Sequence, residues 1–407
     1  MRPALLIFSV AFLCFFVAVQ ATPNGWGEDT QLTFTSQNSR NPSAYSESDG
    51  VLHYVWVEDV NGLSQIVYGK RDGDQTPVSS LIISDNSGND TLPEIVVDTD
   101  GNAHVVWMNQ GGSGIKYRKI NSIGQIDGPV ITIISGQTAL YPSLDIDSNN
   151  NLHLAWQGSN NGYQIYYIKL DSFVNTILGP IQLTSSTTGQ SQWPDLKVNV
   201  AGEPNLVWTY FNDTSLIYTR LSTDGDVLVQ TGVGLTGSFY NFRDPQIVID
   251  NNAIVHIAYD HFHDSGPGQQ FHSTSYKRVT QSGSVLIDFQ NLNSGMLPNI
   301  VVDSLLNAYI VSQSFVSGSG QQIKYAKFPS TGTPVITDLR LTFTGGESIE
   351  PFIVMQEKKL AVIWSDDSSG GNWEIFLKKN NPLPVLLVHG IYSDDSIWEE
   401  GGIDSIE

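Results

Sequence analysis

A proline recurs at positions 42, 93, 142, 194, 245, 298 and 351, at intervals of 51, 49, 52, 51, 53 and 53 residues. The text behind each proline is the same in kind. An alternating apolar run leads to an Asp/Asn/Gly-type turn, and a second apolar run follows that usually closes on Trp. The second unit shows it in full: Pro93-Glu94-Ile95-Val96-Val97-Asp98, then Asp100-Gly101-Asn102, then His104-Val105-Val106-Trp107. A third run follows in every unit, such as Gln65-Ile66-Val67-Tyr68 or Gln164-Ile165-Tyr166-Tyr167, and a fourth closes the first six units. Period-two alternation over such short runs marks strands, and four strands about every 50 residues make one propeller blade. Proline at the head of the first strand removes no ladder donor. Asp49-Gly50 and Asp100-Gly101 supply the positive φ that a tight hairpin needs. The expectation is an all-β chain: a seven-bladed β-propeller over roughly residues 26–380.

The seventh unit has only three strands before Asn380. A spare run, Thr30-Gln31-Leu32-Thr33-Phe34-Thr35, precedes the first proline and resembles Leu341-Thr342-Phe343-Thr344 at the end of unit six. Residues 30–35 are expected to complete blade seven and so cover the open sheet edges. His53, His104, His153 and His256 recur at one place in the repeat. Recurrence of that kind points to packing between blades rather than to ligation.

The N-terminus reads Met1-Arg2-Pro3, an apolar run from Ala4 to Val19, then Gln20-Ala21-Thr22. This is the pattern of a signal peptide cleaved after Ala21, and it implies a secreted or extracytoplasmic protein with residues 1–21 removed. No later run is apolar enough for a stable membrane span. The single cysteine, Cys14, lies inside that leader, so the mature chain has no disulfide, Cys–zinc site or thiol nucleophile. A net charge of −21 repels DNA and RNA, which excludes nucleic acid as a partner. Asn89-Asp90-Thr91 and Asn212-Asp213-Thr214 are glycosylation sequons.

The proline–strand–turn–strand–loop–Ile-Tyr-Tyr unit resembles TolB-type propellers and the wider WD-like group of surface proteins. That resemblance covers about 350 residues and implies architecture more than function, since propellers host hydrolases, lectins and scaffolds alike. The Ser-x-Asp-x-Gly-x-x-Trp box of sialidases is absent from the sequence. After Asn380 the text changes. Pro382-Leu383-Pro384 leads into Val385-Leu386-Leu387-Val388, then His389-Gly390-Ile391. This resembles the opening of lipase- and esterase-like α/β-hydrolases, whose apolar central strand runs into the oxyanion loop. On that resemblance residues 381–407 are a linker and the truncated start of such a domain. His389 and Gly390 would shape the loop, and Ile391 would supply its amide donor. No Gly-x-Ser-x-Gly occurs in the 407 residues, so no catalytic residue of that family is assigned here.

In a propeller, the loops leaving the second strand and those entering the first share one face. That face would carry Tyr210, the run Asp260-His261-Phe262-His263-Asp264, and Asp366 from one loop set. Tyr141, Trp193, Tyr240, Phe242 and Arg243 come from the other. Rings beside carboxylates and amides suit a carbohydrate, peptide or protein ligand, with ordinary loop chemistry as the alternative. His261 and His263, at i and i+2 among carboxylates, are weak candidates for a metal; no metal or other cofactor is otherwise expected. Two functions remain in view for the parent protein. One is a secreted, non-catalytic binding module. The other is a secreted serine esterase or lipase whose catalytic part lies outside this chain.

Overall fold

The computed structural model describes residues 23 and 25–380, apart from 73–79, 111–113, 160–161, 186–188, 211–214, 235–239, 265–269, 357–358 and 369. The leader, the second sequon and the segment 381–407, with His389, Gly390 and Ile391, lie outside the described residues. Among the described residues there are 28 strands, no helix, and seven four-stranded sheets. The first six sheets pair their strands in simple chain order. The seventh takes its three sequential strands from Ser348–Lys379 and its fourth from Thr30–Gln31, which pairs antiparallel with Glu374–Lys379. The strand proper is thus two residues long, not six. Leu32 continues the ladder with an N–H to the Ile375 carbonyl at 2.7 Å and packs under the sheet among Leu52, Ile363 and Leu377.

The first strands of the blades are Ser39–Ser46, Asp90–Val97, Ala139–Ile146, Ser191–Val198, Tyr240–Ile249, Gly295–Val302 and Ser348–Gln356. Each packs on the next, and the seventh packs on the first. All seven prolines line a single cavity, so these strands are the innermost and the cavity lies on the axis. The second strands are almost wholly buried and carry Trp56, Trp107, Trp156, Trp208 and Trp364 into the interfaces between blades. The fourth strands are the outermost and face solvent: in Ile126–Ile134 only Ile134 is buried.

The recurrent histidines are fully buried. In blades one, two, three and five the Nε2 atom meets a hairpin carboxylate, Glu47, Asp98, Asp147 or Asp250, at 2.7–3.2 Å. The Nδ1 atom meets a third-strand tyrosine hydroxyl, Tyr68, Tyr117, Tyr167 or Tyr276, at 2.7–2.8 Å. Blade four substitutes Asn205, which accepts from Tyr218 at 2.6 Å. Each relay ties the first hairpin to the third strand with every ring nitrogen partnered, as buried polar groups require.

Candidate functional site

Every innermost strand carries a β-bulge at its proline. The register slips between Arg40 and Ser43, and likewise in the six other blades. The residue just before each proline is in the left-handed region: Asn41, Leu92, Tyr141, Trp193, Asp244, Leu297 and Glu350 have φ between 45° and 55°. Residues before proline normally stay extended, and non-glycine residues with positive φ are strained by about 1–2 kcal/mol. Seven such residues in one ring form a built feature, since bulges re-aim side chains at sites. All seven line the axial cavity, which measures about 240 Å³.

The ring divides by chemistry. Tyr141 and Trp193, on neighbouring blades, meet edge to face with centroids 6.4 Å apart, and Tyr141 is 39% exposed. Glu350 is engaged: it accepts from the Asn41 backbone N–H, the Asn41 amide and the Ser365 hydroxyl at 2.7–2.9 Å. No described residue hydrogen-bonds the Asp244 carboxylate. Burial first, then the charge of Asp260, push it up to about 6, against Arg243 and His272.

Below this ring the wall is ionic. Asp195 accepts from Ser143 Oγ and the Ile247 N–H, both at 2.7 Å, stapling blades three, four and five. Asp145 accepts from the Val198 N–H at 2.7 Å. Burial raises Asp145 and pushes Glu94 up to about 8. Burial alone would lower Lys197, but Asp145, Asp195 and Glu94 together outweigh it and hold the ammonium above its ordinary value. Four carboxylates and no basic side chain line the cavity itself.

The remaining candidates fall in different places. The run read as the loop Asp260–Asp264 is the end of the strand Val255–Asp264, and Tyr240–Arg243 begins the strand it pairs with. Alternation therefore turns some of these side chains inward. Phe242 is buried against Tyr259 and stacks on His261, itself buried, at 5.4 Å. Asp260 is buried and its Oδ2 meets His272 Nδ1 at 2.6 Å. Asp366 is buried, accepting from Ser348 Oγ and Trp364 Nε1 at 2.7 and 3.0 Å. Phe242, Asp260, His261 and Asp366 thus lie beneath the exposed face on which they were expected. Arg243 lies over the Phe262 ring, 4.4 Å from its centroid. Tyr210 borders a second cavity of about 310 Å³ between blades three and four, with Trp208 and Thr184. The side chains of Tyr240 and His263 lie outside the described residues, and among the described residues no cluster of metal-ligating side chains forms.

Sequence reasoning named two members of the pre-proline ring, Tyr141 and Trp193, and missed Asn41, Leu92, Asp244, Leu297 and Glu350. Aligning the column before each proline would have found them. It also missed His272 as the partner of Asp260.

No family model matches the chain, and no curated protein does. Solved structures do. A PL25 ulvan lyase, bound to -[GlcA(1-4)Rha3S]-, aligns with a TM-score of 0.59 at 12% identity, over 86% of this chain and 95% of that one. The polysaccharide lyase Uly1 aligns at 0.55 and 9%, over 91% and 94%. A protein of unknown function from Dyadobacter fermentans DSM 18053 aligns at 0.56 and 11%, over 87% and 98%. At such identities the likeness is one of architecture: this chain has the fold of these propellers.

Proposed function

We propose that the chain is a secreted propeller that binds carbohydrate in its axial cavity, with Trp193 and Tyr141 as the stacking platform. The observation that carries this is the placement of two adjacent aromatic rings at strained bulges on the cavity rim. Large rings are poor choices at positive φ, where Gly or Asn is comfortable. Their presence fits a surface that pairs a ring face with the apolar side of a sugar while nearby amides and carboxylates take its hydroxyls. The neighbouring fold of a lyase solved with a bound sugar supports the same reading. A soluble-polysaccharide binding screen tests it. Wild-type protein is expected to retain at least one neutral glycan, and a blank screen overturns the proposal.

A second reading concerns the parent protein. The Val385–Ile391 text supports an esterase- or lipase-like domain beginning after residue 381, in which case the propeller is its substrate- or surface-binding part. Ester hydrolysis by this chain as it stands is not expected. Extending the reading frame and finding Gly-x-Ser-x-Gly would support this second reading; a frame that closes without it would remove it.

A further inference from the structure

The axial binding reading leaves unused the second cavity, about 310 Å³, between blades three and four. Its volume falls at the lower end of small-ligand pockets, about 300–1,000 Å³. Its lining pairs the apolar surfaces of Trp208, Tyr210 and Ile217 with hydroxyls and an amide from Ser185, Ser191 and Gln230. Among the described residues no charged side chain lines it, whereas Glu94, Asp195, Asp244 and Glu350 line the axial cavity. A charged ligand would lose its water here and meet no counter-charge, so the chemistry selects an uncharged one.

Other blades put a carboxylate at this place. In blade seven the residue two past Trp364 is Asp366, which accepts from the Trp364 indole at 3.0 Å and from Ser348, opposite it, at 2.7 Å. In blade one Glu58 takes the Trp56 indole in the same way at 3.1 Å. Blade four has Tyr210 instead, opposite Ser191. The Tyr210 ring lies over Gly189, where any Cβ would overlap it. With no carboxylate opposite, the Ser191 hydroxyl has no hydrogen-bond partner among the described residues, in a side chain that is only 1% exposed. Buried hydroxyls are nearly always paired. Ser39 of blade one is also unpaired, but it lines neither cavity. Thr184 is committed to the frame, donating to Gln164 Oε1 at 2.7 Å and accepting from the Ile165 N–H at 3.0 Å.

We infer that the cavity between blades three and four is a second subsite, holding one uncharged sugar residue of a chain whose neighbouring part lies against Trp193. The inference rests on the reading of the axial cavity as a carbohydrate site. The Tyr210 ring takes the apolar side of the sugar, and the Ser191 hydroxyl pairs with one of its hydroxyls. One strand serves both cavities. Ser191–Val198 places Ser191 in the lining of this cavity and Trp193 in the lining of the axial one. Two positions of extended strand span about 7 Å, so a single oligosaccharide reaches from one to the other. A ligand held at both points binds more tightly than one held at either.

The test is isothermal titration of cellohexaose, mannohexaose, xylohexaose and maltohexaose against the wild-type protein, Ser191→Ala, Tyr210→Ala and Trp193→Gly, with a thermal melt of each. Wild type is expected to bind at least one hexasaccharide. Ser191→Ala should weaken that binding roughly threefold to tenfold, the worth of one hydrogen bond. It should melt at or slightly above wild type, because the hydroxyl it removes has no partner in the protein. Tyr210→Ala should cost about fivefold or more. A clearly lower melting point for Ser191→Ala would assign the hydroxyl to the frame and overturn its role toward a ligand. Wild-type affinity in both Ser191→Ala and Tyr210→Ala, with a loss in Trp193→Gly, overturns the second subsite and leaves the axial reading standing. Losses in the first two with none in Trp193→Gly keep this cavity as a sugar site and overturn the axial one. Failure of wild type to bind any of the four removes both.

Discussion

The Glu350 carboxylate accepts both the backbone N–H and the side-chain amide of Asn41, each at 2.7 Å. These two residues belong to the innermost strands of the last and first blades, 309 positions apart in the chain. Charge-assisted hydrogen bonds of this kind are worth about 1.5–3 kcal/mol. Glu350→Ala is therefore expected to lower unfolding stability by about 2–4 kcal/mol in a denaturant titration, with Glu350→Gln recovering part. A change under about 0.5 kcal/mol would show the contact to be idle.

The N-terminal strand predicts a second loss. Leu32 is buried among Leu52, Ile363 and Leu377, and Trp26 packs edge-on against Tyr325 at 5.2 Å. Truncating a buried leucine costs about 2–5 kcal/mol. Leu32→Ala should fall in that range, and hydrogen exchange in Glu374–Lys379 should rise with it. Unchanged exchange there would show that the N-terminal run does not hold the seventh sheet.

Acid should weaken the fold through the histidine relays. Burial lowers His53 and His104 and pushes His153 and His256 down to about 4, despite their carboxylate partners. Between that value and about 6.5 the unfolded chain binds protons that the folded chain refuses, so folding is most favourable above the window and weakens as pH falls through it. For His153 and His256 the loss is on the order of 3 kcal/mol each. Lys169 and Asp147 border His153; Asp147 is held below its ordinary value, so its own contribution fails only at lower pH. His153→Asn, copying Asn205 of blade four, should flatten stability between pH 6.5 and 4. An unchanged slope would assign the acid response to other groups.

The blade count, the placement of the turns and the structural role of the four histidines were legible because they repeat, and repetition survives any one residue's noise. The pre-proline ring was harder to read. Its residues share a backbone conformation and no side-chain chemistry, running Asn, Leu, Tyr, Trp, Asp, Leu, Glu. The ordinary preference before proline argues for the opposite geometry. Asp260 and Phe242 looked like loop residues because polar and aromatic letters end a strand pattern. The strands of blade five run to ten residues instead, and strand alternation carries those side chains inward.

The carbohydrate reading stands on Trp193. Isothermal titration of the wild-type protein and Trp193→Gly against one retained neutral polysaccharide tests it directly. Glycine is at ease at the φ of 52° that residue 193 adopts, so the variant should melt within a few degrees of wild type. The account predicts binding weakened about tenfold or more. Equal affinity in the two proteins would contradict it.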